Sequence, residues 1–302
     1  MPFGVKQGKT NKNKPIIVVT GKNGQLGWEL QQIATEFTNE FEFLFIDREE
    51  LDLSRPDSIP AFFTQYNPSF FINCGAYTLV DKAETERELT KAVNATSVGE
   101  IAKACAAIDC TLITISTDYV FDGNGTAPYT PNQQTAPLNY YGETKEEGEQ
   151  LALANNQKTI IIRTSWVYSV HANNFVKTML RLMKERSELK VVGDQVGSPT
   201  SAADLAGAIL HIIHQMVAGN THYGIYHYSN EGVISWFDFA VAINKLAGLS
   251  CNVLSIPTSS YPTPAKRPAY SVLDKQSIVA DFNVPLVNWE ISLEKTVAQL
   301  LV

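Results

Sequence analysis

Between residues 15 and 164 the chain alternates two textures. Five short runs are almost wholly apolar and rich in β-branched residues: 16–19 (IIVV), 43–46 (FLFI), 70–73 (FFIN), 111–116 (TLITIS) and 159–164 (TIIIRT). Runs that short, with no polar face, are the pattern of strands buried on both sides. Between them lie longer helix-like stretches over 25–37, 89–107 and 140–155. The alternation predicts an α/β protein of Rossmann type, with a doubly wound parallel sheet covered by helices on both faces. After Trp166 the texture changes. Helical patterns at 174–185, 202–217, 236–247 and 289–301 surround a strand at GIYHYS and a proline-rich loop, IPTSSYPTPAKRP. These predict a smaller C-terminal α/β domain over 166–302, with part of it, about 203–230, returning to the first domain over 15–165.

Composition narrows the classes. Hydrophobic residues make up 44% of 302 and charged ones 18%, as in an ordinary globular chain with room for a sizeable core. A net charge of −7 argues against non-specific nucleic-acid binding. Four cysteines (Cys74, Cys105, Cys110, Cys251) without a CxxC pair give no zinc site and no disulfide framework, which fits a reducing cytoplasm. No apolar run approaches the roughly 18 residues that span a bilayer. The first 14 residues carry four lysines and no acid, lack the apolar stretch of a signal peptide, and read as a disordered tail.

Candidate chemistry sits at strand ends. VVTGKNGQLGWEL puts Gly21, Gly24 and Gly27 after the first strand and at the start of a helix. There glycines allow a tight turn and close approach to a pyrophosphate that faces the helix N-terminus. Asp47 ends the second strand about 20 residues on, where an acid binds the ribose hydroxyls of NAD; Arg48 beside it suits the 2′-phosphate of NADP. The two leave the cofactor as NADH or NADPH. Tyr141 and Lys145 stand four apart at the head of a helix and therefore share a face. An ammonium near a phenol favours the phenolate and lowers its pKa, which would ease proton transfer to a carbonyl receiving hydride. Such a pair arises by chance about once in a chain like this, so its weight comes from its order after the glycine turn and the acid. The fourth strand ends in Ser116-Thr117-Asp118, where Thr117 could polarise a substrate carbonyl and Asp118 hold a hydroxyl.

Together these segments resemble the extended short-chain dehydrogenase/reductases and, within them, the dTDP-4-dehydrorhamnose reductase family. The resemblance runs from about Pro15 to the C-terminus through GKNGQLGWEL, NCGAYTLVDKAETE, STDYVFDGNG, APLNYYGETKEEGE, RTSWVY, DQVGSPT and YPTPAKRP. It implies reduction of the C4 ketone of a dTDP-sugar by NAD(P)H, with Thr117, Tyr141 and Lys145 as the catalytic set. It places Gly24, Gln25 and Leu26 on the pyrophosphate, Asp47 on the ribose, Asp52 and Leu53 around the adenine, and Ala76, Tyr77 and Thr78 along the cofactor. Thr117, Asp118 and Trp166 would contact the deoxysugar, with Asn174 and the Lys266–Arg267 pair toward the nucleotide. Family members often read Asn-Ala-Ala where this chain has Asn73-Cys74-Gly75. Some are described as magnesium-linked dimers; the resemblance therefore allows Mg2+ and a homodimer, but no acidic cluster in the sequence supports the metal. Related dehydratases carry Asp-Glu after the strand-end threonine, and Asp118-Tyr119 here argues for simple reduction. Another NAD(P)-dependent nucleotide-sugar epimerase or reductase stays open, as does a non-catalytic regulatory subunit of methionine adenosyltransferase.

Overall fold

The computed structural model describes residues 14–302. The tail expected at 1–14 lies, except for Lys14, outside the described residues. The five apolar runs form strands β1 (Ile16–Thr20), β2 (Glu42–Ile46), β3 (Phe70–Asn73), β4 (Thr111–Thr117) and β5 (Thr159–Thr164). With Gly224–His227 they make one six-stranded sheet in the order Gly224–His227, β5, β4, β3, β1, β2. Every neighbouring pair is parallel. The direction of winding reverses between β1 and β3, and such a switch point opens a crevice at the carboxyl ends of the strands.

Strand alternation divides the core. Ile17, Val19, Ile72, Ile113 and Ile160 meet Leu26 and Leu30 of helix α1 (Gln25–Ala34) and Leu205, Ile209 and Ile213 of the Ala202–Val217 helix. On the other face Val18, Phe71, Leu112 and Ile161 meet Ile59, Phe62, Val98, Ile101 and Cys105. A third core belongs to the C-terminal part, where Tyr168, Val176, Met179, Leu189, Phe239 and Trp289 pack together. Among the described residues no helix is long and apolar enough to cross a membrane.

The pattern at 89–107 is one helical run broken by a π turn: Arg87–Lys91, Ala92–Thr96, then Ser97–Ala107. Several elements escaped the sequence pattern. One is the seven-residue helix Ile59–Gln65, and another is Gln276–Phe282. So did a parallel pair of strands, Glu188–Val192 with Asn252–Ile256, whose partners lie about 60 residues apart in the chain.

The Tyr140–Asn155 helix has almost no amphipathic pattern, yet it buries Gly142, Thr144, Lys145, Gly148, Glu149 and Ala152. Small residues let it approach closely: a Cβ on Gly148 would lie 2.2 Å from the Asn94 carbonyl oxygen in the π turn. Asn139 caps it, its side-chain oxygen accepting from the Gly142 N–H at 2.9 Å.

Candidate active site

The glycine turn forms a cradle of bare backbone. Gly21 has φ +70°, which side-chain-bearing residues rarely adopt, and a Cβ there would meet the Gly75 nitrogen at 3.0 Å. A Cβ on Gly27 would overlap the Gly21 carbonyl oxygen at 2.2 Å. The N-cap of α1, Gly24, offers no side chain to its N–H groups, so that helix end is free to face an anion. The Leu26 side chain is buried in the core, leaving only its backbone to such a role.

Beside this turn opens a cavity of about 160 Å³ lined by Gly21, Gly24, Asp47, Arg48, Asp52, Leu53 and Ala76, among others. These were assigned from sequence to one ligand, and the fold brings them to one wall. Asp47 accepts from Asn23 Nδ2 at 2.6 Å and from the Glu49 N–H at 2.9 Å. The Glu49 N–H foremost, with the nearby Lys22 ammonium adding to it, holds its carboxyl below the usual range. Asp52 accepts from the hydroxyl and N–H of Ser54. Gly75, the departure from the family pattern, leaves space filled by Leu53, whose Cδ1 would lie 2.6 Å from an added Cβ. A donor set of backbone N–H groups, a carboxylate on the cavity wall and an apolar slot fits a dinucleotide.

A buried polar chain fixes the strand ends around that cavity. Thr20 donates to Asn73 at 2.8 Å, Asn73 donates to Thr114 at 3.3 Å, and Thr20 accepts from the Gly75 N–H at 3.1 Å. The loop after β3 is clamped by Asn94, which accepts from the Tyr77 N–H and donates to the Tyr77 carbonyl. Tyr77 itself reaches away to Glu86 at 2.6 Å, and Thr78 is exposed. None of Thr20, Asn73, Thr114, Asn94 or Asn139 was singled out from sequence; only Asn139, before a helical run, carried a local signal.

Thr117, Tyr141 and Lys145 come together at the end of β4. Thr117 donates to Asp118 Oδ1 at 3.0 Å and accepts from the Tyr119 N–H at 3.2 Å. The Tyr141 ring meets Tyr119 edge-on at 5.7 Å. Lys145 is 5% exposed and donates to the Ile115 carbonyl at 2.7 Å. Tyr140 takes no part: Arg87 lies over its ring.

The electrostatics correct one expectation. Burial pushes the Tyr141 phenol up to about 12, with the neighbouring Thr117 hydroxyl acting in the opposite direction. Burial also lowers Lys145 to about 8, with Glu149 opposing. Lys145 therefore does not bring the phenol below its ordinary value here: burial governs the phenol, and the ammonium is engaged by the Ile115 carbonyl. Burial likewise raises Asp118 to about 7, and its Oδ2 is buried without a partner.

A cavity of about 870 Å³ lies between the sheet domain and the C-terminal part, lined by Tyr119, Asp81, Gln195, Trp236, Lys190 and Arg267, among others. Arg267 donates to Asp81 at 2.9 Å, while its Nη1 is buried and unpartnered. Lys266 is exposed. Trp166, at φ +51°, stacks on Trp236 with centroids 3.6 Å apart, so Trp236 rather than Trp166 faces the cavity. Asn174 departs from its expected substrate role. It caps the Phe175–Glu185 helix through the Lys177 N–H and gives its amide to Gln25 Oε1 and the Ser169 carbonyl. Gln25 is thus also tied to the C-terminal part, with a second bond to the Val167 carbonyl at 3.4 Å. No cluster of metal-binding side chains occurs among the described residues.

The model of the family described as the RmlD substrate binding domain matches residues 15–302. The dTDP-4-dehydrorhamnose reductase of Escherichia coli (strain K12) is 40% identical over 291 residues, 94% of this chain and 97% of that protein. The crystal structure of a dTDP-4-dehydrorhamnose reductase from Clostridium acetobutylicum superposes with a TM-score of 0.90 at 39% identity, covering 95% of this chain and 100% of that one. One from Bacillus anthracis, in complex with NADP, gives 0.89 at 39% identity, with 95% and 99% covered. The chain belongs to the RmlD substrate binding domain family, that of its dTDP-4-dehydrorhamnose reductase relatives.

Proposed function

We propose that the protein reduces the C4 ketone of dTDP-4-dehydro-L-rhamnose to dTDP-L-rhamnose with NADPH or NADH. The observation that carries this reading is the meeting of Thr117, Tyr141 and Lys145 at the end of β4, in the sheet whose β1 leads into the glycine cradle, with Tyr119 beside them lining an 870 Å³ cavity large enough for a nucleotide sugar. The relatives named above support the substrate and the cofactor. Residues 15–165 with the Gly224–His227 strand hold the dinucleotide, and the remainder closes over the sugar nucleotide.

When bound, the reduced nicotinamide supplies the hydride that the ketone carbon receives. Tyr141 gives its proton to the ketone oxygen. Its high pKa keeps that proton in place at neutral pH, and an alkoxide, the base of a far weaker acid, draws it across. Thr117 donates a hydrogen bond to the same oxygen, giving up its bond to Asp118. Lys145 turns from the Ile115 carbonyl to the nicotinamide ribose and places positive charge beside the phenol. Asp118 accepts from a sugar hydroxyl, which satisfies its unpartnered oxygen. Arg267 meets the diphosphate or base, and Trp236, backed by Trp166, forms the wall. Gly21, Gly24 and the backbone of Gln25, Leu26 and Gly27 receive the pyrophosphate. Four free cysteines among the described residues suit a reducing compartment, and we place the reaction in the cytoplasm.

The test is incubation with dTDP-4-dehydro-L-rhamnose and each reduced cofactor. Stoichiometric loss of nicotinamide absorbance with formation of dTDP-L-rhamnose supports a reductase. Interconversion of sugars without net cofactor use would make it an epimerase.

A further inference from the structure

The adenosine edge of the cofactor cleft holds an ion-pair arrangement that the reduction itself does not require. Lys22, inside the glycine turn, lies 2.8 Å from Glu50 Oε1 and 3.5 Å from Asp47 Oδ2. The second Glu50 oxygen accepts from the Asp47 N–H at 2.9 Å, so one carboxylate fixes both the cation and the backbone that carries the ribose-facing acid. Arg48, the other cation at this rim, is largely in solvent and 3.8 Å from Asp52. Each positive group is thus already matched by a carboxylate.

A ribose with free hydroxyls presents donors, which Asp47 can accept without disturbing this arrangement. A 2′-phosphate brings close to two negative charges, acceptors only, to an edge where three carboxylates stand. It can be held only by a cation released from its carboxylate. Arg48 lines the cavity but is 77% exposed, whereas Lys22, 24% exposed, lies 3.5 Å from Oδ2 of Asp47, the carboxylate on that cavity wall, and so stands beside the acid read as binding the ribose.

We propose that Glu50 is a specificity-determining residue for the cofactor: by holding Lys22 it favours NADH, and Lys22 is the group that takes the 2′-phosphate when NADPH binds. The proposal rests on the reading of this cleft as the dinucleotide site. Sequence alone pointed to Asp47 and Arg48 as the opposed pair; the fold moves the cationic role to Lys22, 25 residues before Asp47 in the chain.

The test is binding of NADH and NADPH to the purified full chain without sugar, followed by nucleotide fluorescence. Glu50→Gln keeps the shape of the side chain and removes its charge. It should tighten NADPH by roughly three- to tenfold, the range of one partly exposed charge pair, and leave NADH within about twofold. Lys22→Met should weaken NADPH by a similar factor, and the double variant should match Lys22→Met because Glu50 acts through Lys22. The Glu50→Gln effect should shrink at roughly 1 M salt, where charges are screened beyond about 3 Å. Equal changes for both nucleotides in Glu50→Gln, or an unmoved NADPH-to-NADH ratio in Lys22→Met, would overturn the proposal alone. Failure of either nucleotide to bind the unaltered protein would overturn the dinucleotide reading and the proposal with it.

Discussion

Asp118→Asn should make the ligand-free protein more stable at pH 8 while impairing it as an enzyme. Asp118 is 3% exposed; one carboxylate oxygen accepts from Thr117 and the other has no partner. Burial raises its pKa from 3.8 to about 7. The unfolded chain therefore ionises this group as pH rises through about 4, while the folded protein keeps it protonated until about 7. Stability is lost across that window and stays lost above it. The full penalty at pH 8 is about 4 kcal/mol. Asparagine removes the charge but puts an amide donor where Oδ2 lacks a partner, at a cost of about 1–3 kcal/mol. The variant should match the wild type near pH 5 and exceed it by about 2 kcal/mol at pH 8. Urea unfolding of both proteins at the two pH values reads this as a shift in midpoint that grows with pH. A difference independent of pH, or a variant less stable at pH 8, would refute the account of Asp118 as a carboxylate kept buried for its substrate. The same variant should show a raised KM, having lost an anionic acceptor for the sugar hydroxyl.

Two further outcomes follow from the site. Tyr141→Phe should slow single-turnover reduction by roughly 10²–10⁴-fold while cofactor titration stays unchanged, since only the proton donor is removed. Lys145→Met should lose turnover and also weaken cofactor binding, which parallel titrations would detect as a raised Kd; unchanged Kd would confine Lys145 to the proton-transfer step.

The strands were legible because burial on both faces leaves nearly unbroken apolar runs, and Tyr140–Asn155 was bounded correctly although its buried face is made of glycine, threonine and charged residues. The Glu188–Val192 and Asn252–Ile256 pair was not legible, since no local pattern announces a partner about 60 residues away. The candidate catalytic side chains were named from spacing and resemblance, but their electrostatics were not. Spacing places Lys145 one turn from Tyr141; it cannot say that Lys145 bonds the Ile115 carbonyl or that burial governs the phenol. Asn174 looked like a ligand for nucleotide, yet an asparagine before a helix is first a cap, and its amide is consumed by that job and by Gln25. The Thr20–Asn73–Thr114 chain joins three strands, so only the assembled sheet displays it.

The most direct measurement is isotopic: reaction of dTDP-4-dehydro-L-rhamnose with nicotinamide cofactor deuterated at C4, and location of the label in the sugar by nuclear magnetic resonance. The account predicts dTDP-L-rhamnose carrying one deuterium at C4, with the label appearing at a rate at least about 100-fold lower in Tyr141→Phe. Deuterium at another carbon, unlabelled product, or equal rates in the two proteins would contradict it.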